Sequence, residues 1–195
     1  MADYEYDVFL SYRRAGSVNG WMHNHFYPKL VESLTDELNY RPEIYLDTEQ
    51  DVGDRWPERL EYALLRSRIM LCVWTPSYFG SDWCLAEWES MKLREQALGM
   101  ANRQAPGGLV YPIRLKDGES FPKEARETQY LDMKPWAYSS PVFQQSVKFL
   151  EFEEKVAGIA EDLARRLRQV PAWEPHWTVI RPAAKDLGAP ALPRL

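Results

Sequence analysis

Two short clusters carry the residue types from which a functional site could be built. The first, Asp7-Val8-Phe9-Leu10-Ser11-Tyr12-Arg13-Arg14, runs from apolar side chains into hydroxyls and then two guanidinium groups. It reads as a buried strand ending where a parallel sheet opens to solvent. The second, Ser81-Asp82-Trp83-Cys84-Leu85-Ala86-Glu87, reads as a helix start, with Trp83 and Glu87 at i and i+4 and therefore on one face. An open α/β sheet binds ligands at the carboxyl ends of its strands, so the two clusters can meet at one cleft. A carboxylate there can stabilise developing positive charge, and an aromatic beside it offers a stacking surface. Each residue also has an ordinary reading. For an arbitrary pair, Glu87 would be a solvated helix residue and Trp83 part of the core. Arg13 or Arg14 would pair with Asp47 or Asp51 at the surface, and Asp47 would cap a turn after its strand. Glu89 shares the helix with Glu87 and rivals it by position alone.

Other chemistry finds less support. His23-Asn24-His25 has an i, i+2 spacing with no third ligand nearby in sequence, so it reads as a polar feature of an inserted loop rather than a metal site. The two cysteines, Cys72 and Cys84, form neither a disulfide framework nor a zinc spacing and read as small core residues. No Gly-rich phosphate loop or Ser/His/Asp order stands out, and the Rossmann fingerprint is absent.

Strand-like and helix-like patterns alternate along the chain. A polar stretch from Ala15 to Asn24 precedes a helix with Phe26, Leu30, Leu34 and Leu38 at four-residue spacing, and Pro28 falls in its first turn. Glu43–Asp47 reads as a second strand, followed by a charged loop around Gly53 and a helix carrying Trp56, Leu60, Ala63 and Leu64. Arg68–Thr75 is an apolar run typical of a strand covered on both faces, and Pro76 ends it. A helix then runs from Ser81 towards Leu98, a fourth strand spans Leu109–Leu115, and a short extended piece near Tyr130-Leu131-Asp132 offers a fifth. The last helix spans roughly Val142–Arg168. Strands separated by helix-length segments predict a parallel sheet with helices on both faces.

The 195 residues fit one α/β domain over 1–170 with a proline-rich tail or linker over 171–195, where Pro171, Pro175, Pro182, Pro190 and Pro193 fall. Trp173, Trp177 and Ile180 predict that this tail packs somewhere. A hydrophobic content of 45% excludes a disordered chain, and a net charge of -5 without a basic block argues against nucleic acid as a partner. The longest apolar run, Ile69 to Trp74, is too short to span a bilayer, and the acidic N-terminus is unlike a signal peptide, so the cytosol is the expected setting and no membrane partner is expected.

Taken in order, Asp7–Tyr12, Tyr45-Leu46-Asp47 with Gly53 in the loop, Ser67-Arg68, Ser77-Tyr78-Phe79 and Ser81–Glu87 resemble the Toll/interleukin-1 receptor (TIR) domain family. The resemblance implies a flavodoxin-like fold with a five-stranded parallel sheet. It also implies two occupations: a non-enzymatic scaffold or adaptor acting through TIR–TIR association, or an enzyme of the NAD-cleaving, bacterial type. In the second case Glu87 stands where the family's catalytic glutamate stands. Trp83 would stack on the nicotinamide or adenine, Ser11, Tyr12, Arg13 and Arg14 would line the cleft, and Asp47 would bind a ribose hydroxyl. The loop around Gly53, with Trp56 beside it, would serve assembly. NAD would then be a substrate, with no cofactor and no metal needed, and the product would be linear or cyclic ADP-ribose. A related enzyme acting on another nucleoside or nucleotide is a weaker option. The family setting further implies activation by self-association into an oligomer or filament, a sensor domain or partner protein, and a role in immunity, antiviral defence or cell suicide.

Overall fold

The computed structural model describes residues 3–46, 56–102 and 107–182. Its centre is a sheet of five parallel strands: β1 Tyr6–Tyr12, β2 Ile44–Tyr45, β3 Ser67–Trp74, β4 Val110–Arg114 and β5 Leu131–Asp132. They lie in the order β2-β1-β3-β4-β5, the flavodoxin-like arrangement. β1 and β3 pair over most of their length, from Tyr6 opposite Ser67 to Tyr12 opposite Val73. These two strands are buried on both faces, which is why their sequences are continuous apolar runs. β2 is shorter than its sequence suggests, two residues against an expected five, and Asp47 and Gly53 lie outside the described residues.

Strand alternation sorts the core into two layers. Val8, Leu10 and Tyr12 face a layer built by α1 Gly16–Trp21, α2 Tyr27–Leu38 and α7 Val147–Leu167. Phe9 faces the opposite layer, built by α3 Trp56–Leu65, the single turn α4 Pro76–Phe79 and α5 Asp82–Ala97. Trp74 is fully buried there, edge-on to Trp88 at 5.7 Å and to Phe121 at 6.2 Å. Both cysteines are buried, as a core reading requires.

The stretch expected as a polar loop is helical. α1 passes through one π-helical segment, Met22–Phe26, into α2, so His23 and His25 sit on a continuous helix rather than on an inserted loop. Pro28 explains part of the distortion, because it lacks the N–H that would reach back to the Asn24 carbonyl. That carbonyl instead accepts from Gln144 Nε2 at 2.9 Å, on the 3-10 turn Pro141–Gln145. The same turn explains why α7 starts at Val147 rather than at Val142. The sequence also gave no sign of α6, Lys123–Glu127.

His25 is buried on this segment, with Nε2 3.0 Å from the Ser140 carbonyl and its ring edge-on to Phe143. The carbonyl needs a donor, so Nε2 carries the proton. Burial lowers the pKa of the imidazole below its usual 6.5. The unfolded chain therefore binds a proton more readily than the folded one, and stability is lost as pH falls from about 6.5 through the lower folded value. Thermal melts at pH 7.5 and 5.5 should show this acid-dependent loss in the wild type and a smaller one in His25→Gln.

The C-terminal end of α3 has no glycine cap, and its last carbonyls are taken by side chains from three different elements. Ser67 Oγ donates to the Ala63 carbonyl at 2.7 Å, Arg94 of α5 to the Leu64 carbonyl at 3.0 Å, and Trp173 Nε1 to the Leu65 carbonyl at 3.0 Å. Arg94 also reaches the Ser67 carbonyl at 2.8 Å, and its guanidinium lies 4.0 Å from the centre of the Trp177 ring. Burial pulls its pKa down to about 10, so it remains charged at neutral pH at the negative end of the α3 dipole. The described part of the segment after Val170 is thus an arm packed on α3 and α5. Tyr4 stacks on Trp177, Ile180 N donates to Ser90 Oγ at 2.8 Å, and Arg181 pairs with Glu61 at 2.5 Å.

Candidate active site

The chain leaves the carboxyl ends of β1 and β3 towards opposite faces of the sheet, and the crevice expected at such a switch point is present. It holds a cavity of about 70 Å³ lined by Tyr12, Arg13 and Arg14 from β1 and its end, and by Ser81, Trp83, Cys84 and Glu87 from the start of α5, with Leu60 of α3 closing the side. Thr75 and Pro76 end β3 and turn the chain through α4, and Ser81 then caps α5, its Oγ accepting from Cys84 N at 3.4 Å. This cap sets the rotation of the helix, and with it the side on which Trp83 and Glu87 emerge.

Glu87 is 8% exposed, so the carboxylate is not a solvated helix residue. Ser11 Oγ donates to Glu87 Oε2 at 2.6 Å, a charge-assisted bond between the end of strand β1 and the first turns of α5. Behind Ser11 stands the fully buried Tyr78, whose hydroxyl lies 2.9 Å from Ser11 Oγ and 3.2 Å from the Cys84 carbonyl. Trp83 is half-buried at the rim, whereas Glu89 is exposed and is not among the residues that line this cavity. Burial pushes the Cys84 thiol up to about 12, which leaves it a poor nucleophile at neutral pH.

The structure therefore brings together Ser11, Arg13, Arg14, Trp83 and Glu87. Tyr12 belongs to the lining at the mouth, but its hydroxyl turns into the other layer, 3.2 Å from His23 Nε2. Arg13 is exposed and Arg14 half-buried at the opening. Asp47 and Gly53 lie outside the described residues, as does the side chain of Trp56, which opens α3. Two contributors escaped the sequence reading. Tyr78 was legible only as a motif residue, and Val179, Ile180 and Arg181 of the C-terminal arm line the far side of Trp83 and Glu87. No group of three or more His, Cys, Asp or Glu among the described residues could hold a metal ion. None of the described helices is long and apolar enough to cross a membrane.

The sequence pattern of the TIR domain matches residues 8–146 of this chain. The chain belongs to the TIR domain family. Among solved structures, it is similar to the TIR domain of the Toll-related receptor TRR-2 from Hydra magnipapillata, at 19% identity and a TM-score of 0.47, over 76% of this chain and 98% of that one. It is also similar to the TIR domains of the activated Roq1 resistosome directly recognizing the pathogen effector XopQ, at 19% identity and a TM-score of 0.40, over 85% of this chain and 97% of that one. No curated protein matches the chain in sequence. In this TIR domain the match spans β1 to the 3-10 turn before α7, and so contains Ser11, Tyr78, Trp83 and Glu87.

Proposed function

We propose that this TIR domain cleaves the bond between nicotinamide and ribose in NAD. The observation that carries the reading is the buried Glu87 carboxylate, oriented by Ser11 at 2.6 Å and opening into the cleft at the sheet's switch point. The nicotinamide of NAD is already a cationic pyridinium and leaves as a neutral amine, so no general acid is needed, unlike an ordinary glycoside that needs two carboxylates. One carboxylate beneath the ribose suffices to stabilise the oxocarbenium-like charge as the bond breaks, and water exclusion at Glu87 strengthens that interaction. Trp83 supplies a ring for a flat heterocycle, and Arg13 and Arg14 suit the diphosphate.

Sites for ligands of drug size occupy about 300–1,000 Å³, whereas this cleft offers about 70 Å³. The reading therefore includes self-association, which the family resemblance implies, as the step that completes the site. Water or an adenine nitrogen then captures the ribosyl cation to give linear or cyclic ADP-ribose. An effector role in immunity or cell death fits an enzyme that depletes NAD on assembly. Chromatographic measurement of nicotinamide release from NAD, over a range of protein concentrations and with a crowding agent, tests this. Release per protomer is expected to rise with concentration, and the product peak distinguishes hydrolase from cyclase. Absence of release in demonstrably assembled protein would instead favour a scaffold that works through TIR–TIR contacts.

A further inference from the structure

The bond from Ser11 to Glu87 has a consequence for the residue behind it. Ser11 has one hydroxyl proton, and at 2.6 Å from Glu87 Oε2 that proton is committed to the carboxylate. Ser11 Oγ can then only accept from Tyr78, 2.9 Å away, and the phenol shares its proton between Ser11 Oγ and the Cys84 carbonyl at 3.2 Å, with the Cys72 thiol as a further partner. We propose that Tyr78 is a positioning residue for Glu87: its hydroxyl holds Ser11 in the rotamer and polarity that direct the serine proton onto the carboxylate. This rests on the reading of Glu87 as the reacting carboxylate.

Three features support the assignment. Tyr78 is fully buried and its ring is fixed edge-on to Phe79 at 5.3 Å, so the hydroxyl is held in place. The Thr75 cap holds the turn itself, with Tyr78 N donating to Thr75 Oγ1 at 3.1 Å. Burial pushes the phenol well above its usual pKa, so it keeps its proton at neutral pH. The relay also ties α4, β1 and α5 together at one point, which makes the orientation of Glu87 sensitive to the turn after β3.

Among the described residues, the other titratable groups near Glu87 include Arg13 and Arg14 from the end of β1, the thiols of Cys72 on β3 and Cys84 on α5, and Glu61 of α3 with Arg181 of the arm on the far side. Tyr78→Phe leaves all of these in place and removes only the hydroxyl. Hydrogen bonds to a carboxylate favour its ionised form, so weakening the Ser11 bond raises the pKa of Glu87, by roughly half a unit to one unit. Carbon-13 NMR of the Glu87 carboxyl, assigned by its disappearance in Glu87→Gln, reads this shift without NAD. The acid limb of the kcat profile should move up by the same amount, with KM for NAD unchanged.

The effect must pass through Ser11: in the Ser11→Ala background, Tyr78→Phe should leave the Glu87 pKa where Ser11→Ala put it. A folded Tyr78→Phe protein whose Glu87 titrates as in the wild type overturns the proposal, and so does a Tyr78 effect that persists without Ser11. If the phenylalanine variant does not fold, 3-fluorotyrosine placed at position 78 keeps ring and hydroxyl while strengthening the donor. It should lower the Glu87 pKa, and an unchanged or raised value again overturns the proposal. A wild type that releases no nicotinamide defeats the proposed reaction but leaves the NMR result on Tyr78 standing.

Discussion

Glu87→Gln is expected to lower nicotinamide release by about a thousandfold or more while leaving the fold intact, because the amide keeps the shape and the Ser11 hydrogen bond but carries no charge to set against the ribosyl cation. A loss of that size corresponds to about 4 kcal/mol of transition-state stabilisation, within reach of a charge held in a site shielded from water. The same substitution should leave thermal stability unchanged or raise it. A carboxylate that is 8% exposed costs desolvation in the folded state, and the neutral amide does not. Activity lost together with stability kept is the signature of a group retained for chemistry. A Glu87→Gln protein that consumes NAD at the wild-type rate would remove the carboxylate from the mechanism.

The second large effect falls on stability and lies two turns further along the same helix. Arg94→Leu is expected to destabilise the domain by about 2–4 kcal/mol, read as a lower urea midpoint with an unchanged slope. Replacing a buried charge by an apolar residue is often neutral, because the partner charge can be replaced with it. Here the partners are the backbone carbonyls of Leu64 and Ser67, which no substitution removes and which lose their donor inside the protein. The contact with the Trp177 ring at 4.0 Å goes as well, while Trp173 Nε1 on the Leu65 carbonyl, the Tyr4–Trp177 stack, the Ile180–Ser90 bond and the Arg181–Glu61 pair are among the contacts that still hold the arm. A neutral Arg94→Leu would mean that water replaces the lost donors and that the arm contributes little to holding α5.

The two substitutions share one helix and separate its duties. The first turns of α5 present Trp83 and Glu87 to the cleft, and the later turns anchor the helix to the end of α3 through Arg94. Because the arm packs on the same helix and lines the far side of Glu87, the geometry of the site depends on a segment beyond the residues that match the TIR pattern.

Much of this was written locally in the sequence. Apolar runs such as Ile69–Trp74 specify strands buried on both faces, and the i, i+4 spacing of Trp83 and Glu87 puts them on one side of a helix, because periodicity depends only on neighbours along the chain. The parallel sheet and the pairing of the Ser11 cluster with the Glu87 cluster follow from element order and the switch-point rule. Local pattern does not show the helix over Gly16–Asn24, which buries Val18, Trp21 and Met22 in the core and whose Asn24 carbonyl, left open by Pro28, is taken by Gln144 from far along the chain. Only the tertiary structure decided that Glu87 is buried rather than solvated, that Tyr78 stands behind Ser11, and that Arg94 and Trp173 finish α3. Each of these rests on a hydrogen bond or burial between residues distant in the chain, and such contacts leave no period in the sequence to read.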